Sequence, residues 1–194
     1  MLGALIGGVA LGFARRGTLT NLAYVRLVSP WLVWVGLGIQ IVAFSPLGAG
    51  WPTWSGSVAH IGSYGLLALF AWVNRQAPGL RLFALGMATN VLVIVSNGGY
   101  MPISENALRR AGLEDVLAQL QVETVNNSVL MGSGTRVKWL GDVMAVPKGV
   151  PLANVFSLGD VLMGLALLIL ISQSMVTRKV SSRRSTPGKK TSLA

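Results

Sequence analysis

The chain has no cysteine, a single histidine (His60) and only six acidic residues in 194. Without cysteine there is neither a disulfide framework nor a thiolate metal site. One histidine with few carboxylates cannot furnish a zinc or iron centre, so no metal and no other cofactor is expected. Charge of either sign is scarce: 11% of residues are charged, against about 25% in an ordinary soluble domain. With 52% hydrophobic residues and a mean hydropathy of +0.61, a soluble reading fails. The net charge of +10 would suggest nucleic acid in a soluble protein. Here no aromatic residues are interleaved with the basic clusters, so no nucleic-acid partner is expected.

What is present is apolar sequence in long runs. Five stretches stand out, at about 1–14, 27–47, 57–74, 82–96 and 155–174. The last four approach or reach the ~20 residues of a spanning helix. The first is short and must thin the bilayer or continue past Arg15 with snorkelling arginines. Its cations follow the apolar run instead of preceding it, which is wrong for a cleaved secretory signal. The fold class expected is an all-α integral membrane protein with about five transmembrane helices. Residues 1–176 form the membrane domain, and 177–194 form a disordered basic cytoplasmic tail that meets anionic lipid. Counting Lys and Arg puts the N-terminus outside and the C-terminus in the cytoplasm of a multi-pass cell-membrane protein. Arg15, Arg16, Arg26, Arg75, Arg81 and the tail then lie inside, while Glu105, Glu114, Asp115, Glu123, Asp142 and Asp160 lie outside.

The one long connection, residues 97–154, is expected outside and partly helical. "SENALRRAGLEDVLAQL" puts Leu108, Leu113, Val116, Leu117 and Leu120 on one face, with a break at Gly112. That stripe is expected to form an amphipathic lid lying on the bilayer and packed over the fourth and fifth apolar runs, with a partner-binding helix as the alternative. Asn97-Gly98-Gly99 is either a helix stop with left-handed glycines or a site where Asn97 orients a substrate backbone. Asn90 and Gln40, inside apolar runs, are expected to bond between helices. The Gly8–Gly12 spacing suits close helix packing.

Leu-Gly-Asp occurs twice, at 140–142 and 158–160, the second at the mouth of the last apolar run. Two neighbouring carboxylates cannot both ionise, and a pair sharing one proton supplies both an acid and a base. Such chemistry needs no metal, cysteine or histidine. The structural alternative is equally concrete. Ser157-Leu158-Gly159-Asp160 has the form of a capping box, and Asp142 can pair with Arg136 or Lys138 at the surface, which is worth little.

As a whole the chain resembles an uncharacterised family of small bacterial integral membrane proteins, known only as a domain of unknown function. The matching stretches are "RRGTLTNLAYVRL", "NGGYMP", "TRVKWLGDV" and "NVFSLGDVLMG". Locally, residues 139–164 resemble the C-terminal region of lipoprotein signal peptidase (signal peptidase II). There one catalytic Asp is followed about twenty residues later by a second that opens the final helix. The resemblance implies an aspartyl endopeptidase with catalytic Asp142 and Asp160, acting on a membrane-anchored peptide at the outer surface. That family's G-N-x-x-D-R motif is missing, and Asn97 and Arg136 are the residues that would take over its substrate positioning. The rival reading is a non-enzymatic membrane scaffold or accessory subunit. A transporter ranks third, because no acid falls at the bilayer midplane.

Overall fold

The computed structural model describes residues 1–45, 51–125 and 127–176. The basic tail lies outside the described residues. The chain is mostly helical, and its five apolar runs are helices α1 (Leu2–Ala14), α2 (Trp31–Ala43), α3 (Thr53–Val73), α4 (Leu80–Ser96) and α7 (Leu158–Val176). Between α4 and α7 come β1 (Met101–Ile103), α5 (Glu105–Ala111), α6 (Glu114–Leu120), β2 (Ser128–Leu130), β3 (Met144–Val146) and β4 (Asn154–Phe156). Two helix starts differ from expectation because of proline. Helix α2 begins after Pro30 instead of at 27, and α3 begins directly after Pro52, where proline's fixed φ and missing N–H suit a helix entry. The last helix begins at 158 because 154–156 are spent on β4.

The apolar helices pack in the order α1, α7, α4, α3, α2. Small residues set the contacts. Gly8 lies against Leu168 and Ile171, and Gly12 against Met175, so α1 and α7 run parallel. A Cβ on Gly86 would stand 2.6 Å from the carbonyl oxygen of Gly159, and Gly79 abuts Ala166, so α4 runs antiparallel to α7. Gly36 meets Ser63 where α2 crosses α3. Leu32, Phe70, Ala71 and Leu80 make a small core between α2, α3 and α4. At that end Asn74 clasps the backbone of Val28 through both its amide atoms. Gln40 donates to the hydroxyl of Ser63, the interhelical amide bond expected of it.

These directions gather chain ends of one kind. The ends of α1 and α3 and the starts of α2 and α4 share one pole, carrying Arg15, Arg16, Arg26, Arg75 and Arg81. All six acids belong to the opposite pole and to the 97–154 segment attached to it. The outward helix faces are apolar: Trp34 is 71% exposed and Ile6 60%, and Ile41, Val58, Leu85, Leu92 and Leu165 are also exposed. Helices α3 and α7 are long and apolar enough to cross a membrane, while α1, α2 and α4 are apolar but shorter.

The 97–154 segment corrects one expectation. Its leucine stripe does not lie open for a bilayer. Strands β1 and β2 pair in parallel, β3 and β4 pair antiparallel, and the stripe closes on them. Leu108 is 0% exposed, and Leu117 and Leu120 are buried with Ile103, with Leu113, Val116, Val125, Leu130 and Val155 packed around them. The helix breaks at Gly112 as expected, in the left-handed region at φ 69°. The strands are three residues each, too short for an alternating pattern to announce them. With a protein surface available, the stripe buries there.

This small core carries a prediction. Leu108→Ala should cost about 2–5 kcal/mol locally, the usual range for truncating a buried leucine. Hydrogen exchange should then rise across β1, α5, α6 and β2 while α3 and α7 keep their protection. Unchanged exchange in the segment would contradict the burial described.

Candidate functional site

The second Leu-Gly-Asp copy opens α7 as a capping box. The Ser157 Oγ accepts from the backbone N–H of Asp160 (3.1 Å), and Asp160 Oδ2 accepts from the N–H of Ser157 (3.0 Å). Two backbone donors that a helix start would leave bare are thereby satisfied. The box then reaches across to α4. Ser157 Oγ–H donates to Asn90 Oδ1 (2.9 Å), and Asn90 Nδ2 donates to Asp160 Oδ1 (3.1 Å). Four bonds close a ring among three side chains, with Asn90 only 1% exposed. Gly159 makes the ring possible, because any Cβ there would collide with the Asn90 amide. From α3, the Tyr64 phenol lies beside Asn90 and within range of the charges of Asp160 and Asp142.

The first copy is built on a strand edge. Gly141 packs so closely that a Cβ would stand 2.6 Å from the carbonyl oxygen of Pro102. Asp142 then extends the β1 ladder: its N–H donates to Pro102 O (2.9 Å), and its carbonyl accepts from the N–H of Ser104 (3.0 Å). Leu140 is 2% exposed, seated among Val93, Ile94 and Met101 with Tyr64 beside it. These contacts fix the Asp142 backbone from both sides. Its carboxyl is not matched by donors. Oδ1 is buried and has no hydrogen-bond partner. Burial first, and the charge of Asp160 second, push the Asp142 carboxyl up to about 7.

The two aspartates therefore share a neighbourhood but hold different stations. Asp160 spends both oxygens on the capping box and Asn90, whereas Asp142 meets it through charge. Among the described residues no hydrogen bond joins the two carboxyls. Asp160 also forms part of the wall of a cavity of about 570 Å³ lined by the first turn of α1, Val146, Leu152, Phe156 and Val161.

Asn97 and Arg136, the candidate positioning residues, meet each other. Asn97 Nδ2 donates to Val93 O (2.7 Å) and Arg136 O (3.0 Å), and Asn97 Oδ1 accepts from the N–H of Arg136 (2.9 Å). The amide acts as a strand partner for residue 136 and is fully occupied. Gly98 and Gly99 take φ of 71° and 95°, the left-handed helix stop. Their carbonyls accept from Ser57 Oγ (2.8 Å) and pair with His60 Nδ1 (2.9 Å). A carbonyl can only accept, so Nδ1 carries the proton, and Nε2 accepts from Asn127 Nδ2 (3.1 Å). His60 is thus a buried tie between α3 and the 97–154 segment.

A family model described as a family of unknown function (DUF5317) matches residues 24–172. The chain belongs to that family. The matched span holds α2 to α4, the whole 97–154 segment and most of α7, so Tyr64, Asn90, Asp142, Ser157 and Asp160 lie within it; α1, with its part of the cavity wall, lies outside it. No curated protein and no solved structure matches the chain. The sequence had marked Asn90 as an interhelical amide. Tyr64 and the Ser157 hydroxyl as a bridge carried no signal, because both depend on which helices adjoin.

Two predictions follow from the ring and the orphaned oxygen. Asn90→Ala leaves the Ser157 hydroxyl proton without its acceptor and Asp160 Oδ1 without its donor, at about 1–3 kcal/mol for a buried polar group. Thermal unfolding in detergent should show it, while a loss near zero would mean the ring adds nothing. For Asp142 the fold raises the carboxyl from 3.8 to about 7, so the native state takes up a proton. Stability from this group is complete below pH 4 and falls as pH rises to about 7. Asp142→Asn should flatten that window and be more stable than the native chain at pH 8. A slope unchanged by the substitution would contradict the assignment.

Proposed function

We propose that this DUF5317 protein is a five-span membrane protein with an aspartyl hydrolase site at its outer surface. Helices α1, α2, α3, α4 and α7 cross the bilayer, with the N-terminus outside and the C-terminus in the cytoplasm. The segregation of Arg15, Arg16, Arg26, Arg75 and Arg81 from all six acids supports that orientation. The apolar outward faces support lipid contact. Helices α1 and α2, at 13 residues each, are about 20 Å long against a ~30 Å hydrocarbon core. Local thinning and the arginines after α1 make up the difference.

The observation that carries the hydrolase reading is the unequal pair: a buried Asp142 oxygen without a partner, raised by burial and by the charge of Asp160. A carboxyl near 7 is a general acid at working pH. In this scheme a water between the carboxyls attacks the carbonyl carbon of a membrane-anchored peptide and gives its proton to Asp160. Asp142 protonates the carbonyl oxygen. When the tetrahedral species collapses, the C–N bond breaks, the proton on Asp160 passes to the departing amine, and Asp142 recovers its own. Asp160 has acceptor capacity to spare, since each carboxylate oxygen offers two lone pairs.

The rival reading, a non-enzymatic scaffold, is favoured by the engagement of both Asp160 oxygens in the α4–α7 ring. Purified protein in vesicles, presented with membrane-anchored peptides of varied sequence and read by mass spectrometry, separates the two. The hydrolase reading expects cleavage by the native chain and none by Asp142→Asn or Asp160→Asn, each still folded. No cleavage by the native chain, with Asp142→Asn indifferent, would leave the scaffold.

A further inference from the structure

At the pole opposite the carboxyls, three arginines are gathered without an acid among them. The clasp between Asn74 and Val28, with Asn74 Oδ1 accepting from Val28 N–H (2.6 Å) and Nδ2 donating to Val28 O (2.9 Å), fixes the start of α2 beside the end of α3. Arg26 stands two residues before the clasped Val28, and Arg75 directly follows Asn74, so the two flank the same clasp. Arg81, in the first turn of α4, joins them, its Nε donating to the carbonyl of Arg75 (3.3 Å). Arg75 is steadied twice: Nη1 donates to Trp72 O (3.1 Å), and the guanidinium lies 4.8 Å from the centre of the Trp72 ring. Two of the three guanidiniums are thus aimed by the backbone while keeping further N–H groups unspent. Among the described residues the ion pair found is Arg109–Glu105, at the other pole.

The aromatic frame matches. Trp72 is 63% exposed and Trp31, at the start of α2, 57%, as in the amphipathic belt at a membrane–water boundary. We propose that Arg26, Arg75 and Arg81 form a binding site for the phosphate headgroup of an anionic phospholipid in the cytoplasmic leaflet, with Trp72 and Trp31 at the level of the glycerol backbone. Guanidinium forks suit phosphate oxygens in geometry as well as charge. The site rests on the five-span reading proposed above, and the apolar faces beside it favour a lipid over a free phosphate ion.

The test uses the full chain, tail included, in nanodiscs of mixed phosphatidylglycerol and phosphatidylcholine, with the protein-bound lipid quantified by mass spectrometry. The native chain should be enriched in phosphatidylglycerol. Arg26→Gln, Arg75→Gln and Arg81→Gln should each lower the enrichment, by up to about fivefold per charge. The outer-pole control Arg109→Gln/Arg110→Gln should keep it. If a glutamine variant fails to fold, Arg75→Lys, which keeps the charge, should fold and lose only part of the enrichment. Equal enrichment in native and triple variant overturns the site, as does equal loss in the control. Displacement by soluble glycerol phosphate at the lipid's own concentration overturns the choice of a lipid. A chain that stays monodisperse without detergent overturns the membrane reading itself, whatever it binds.

Discussion

The close crossing of α4 and α7 is the constraint on which the rest of the arrangement depends. Gly86 and Gly159 let the two backbones approach until the carbonyl of one helix fills the space a Cβ on the other would need. That approach puts Asn90, a polar residue in the middle of an apolar helix, within reach of the capping box that starts α7. An amide at that depth is costly unless bonded, and here both its ends are used. One interaction therefore registers the helices against each other, holds Asp160 at a fixed point, and brings Tyr64 of α3 into the same cluster.

The two Leu-Gly-Asp copies are alike in what glycine does and different in what aspartate does. In each, glycine permits an approach that a side chain would block, to a strand edge at Gly141 and to a helix at Gly159. The aspartate of the second is surrounded by donors, while the aspartate of the first is held by its backbone and left with a bare, buried oxygen. A charge already present at Asp160 makes a second one at Asp142 unfavourable. The two carboxyls are therefore unequally held, one among donors and the other without them.

Much of this was legible in sequence because it is local. The five apolar runs, the glycine break at 112, the Asn97-Gly98-Gly99 stop and the Ser157–Asp160 box are each set by a few consecutive residues, and each is found, the runs with their ends shifted by a few residues. What depends on pairing between distant segments was not legible. Three-residue strands give no period, so the leucine stripe from Leu108 to Leu120 read as a surface for lipid although it serves a small core. Asn97 and Arg136 come together through the Asn97 amide and the Arg136 backbone. Tyr64 enters the cluster only because α3 lies beside α4.

The central claim is that Asp142 keeps a proton near neutrality because it is buried beside the charge of Asp160. An infrared titration of the protein in lipid, following the carboxylic C=O stretch between pH 5 and 9 and assigned by its loss in Asp142→Asn, tests that most directly. The account predicts a band that disappears with a midpoint near 7, and at a lower pH once Asp160 is replaced by Asn. An Asp142 already ionised at pH 5, or a midpoint unmoved by the loss of Asp160, would contradict it.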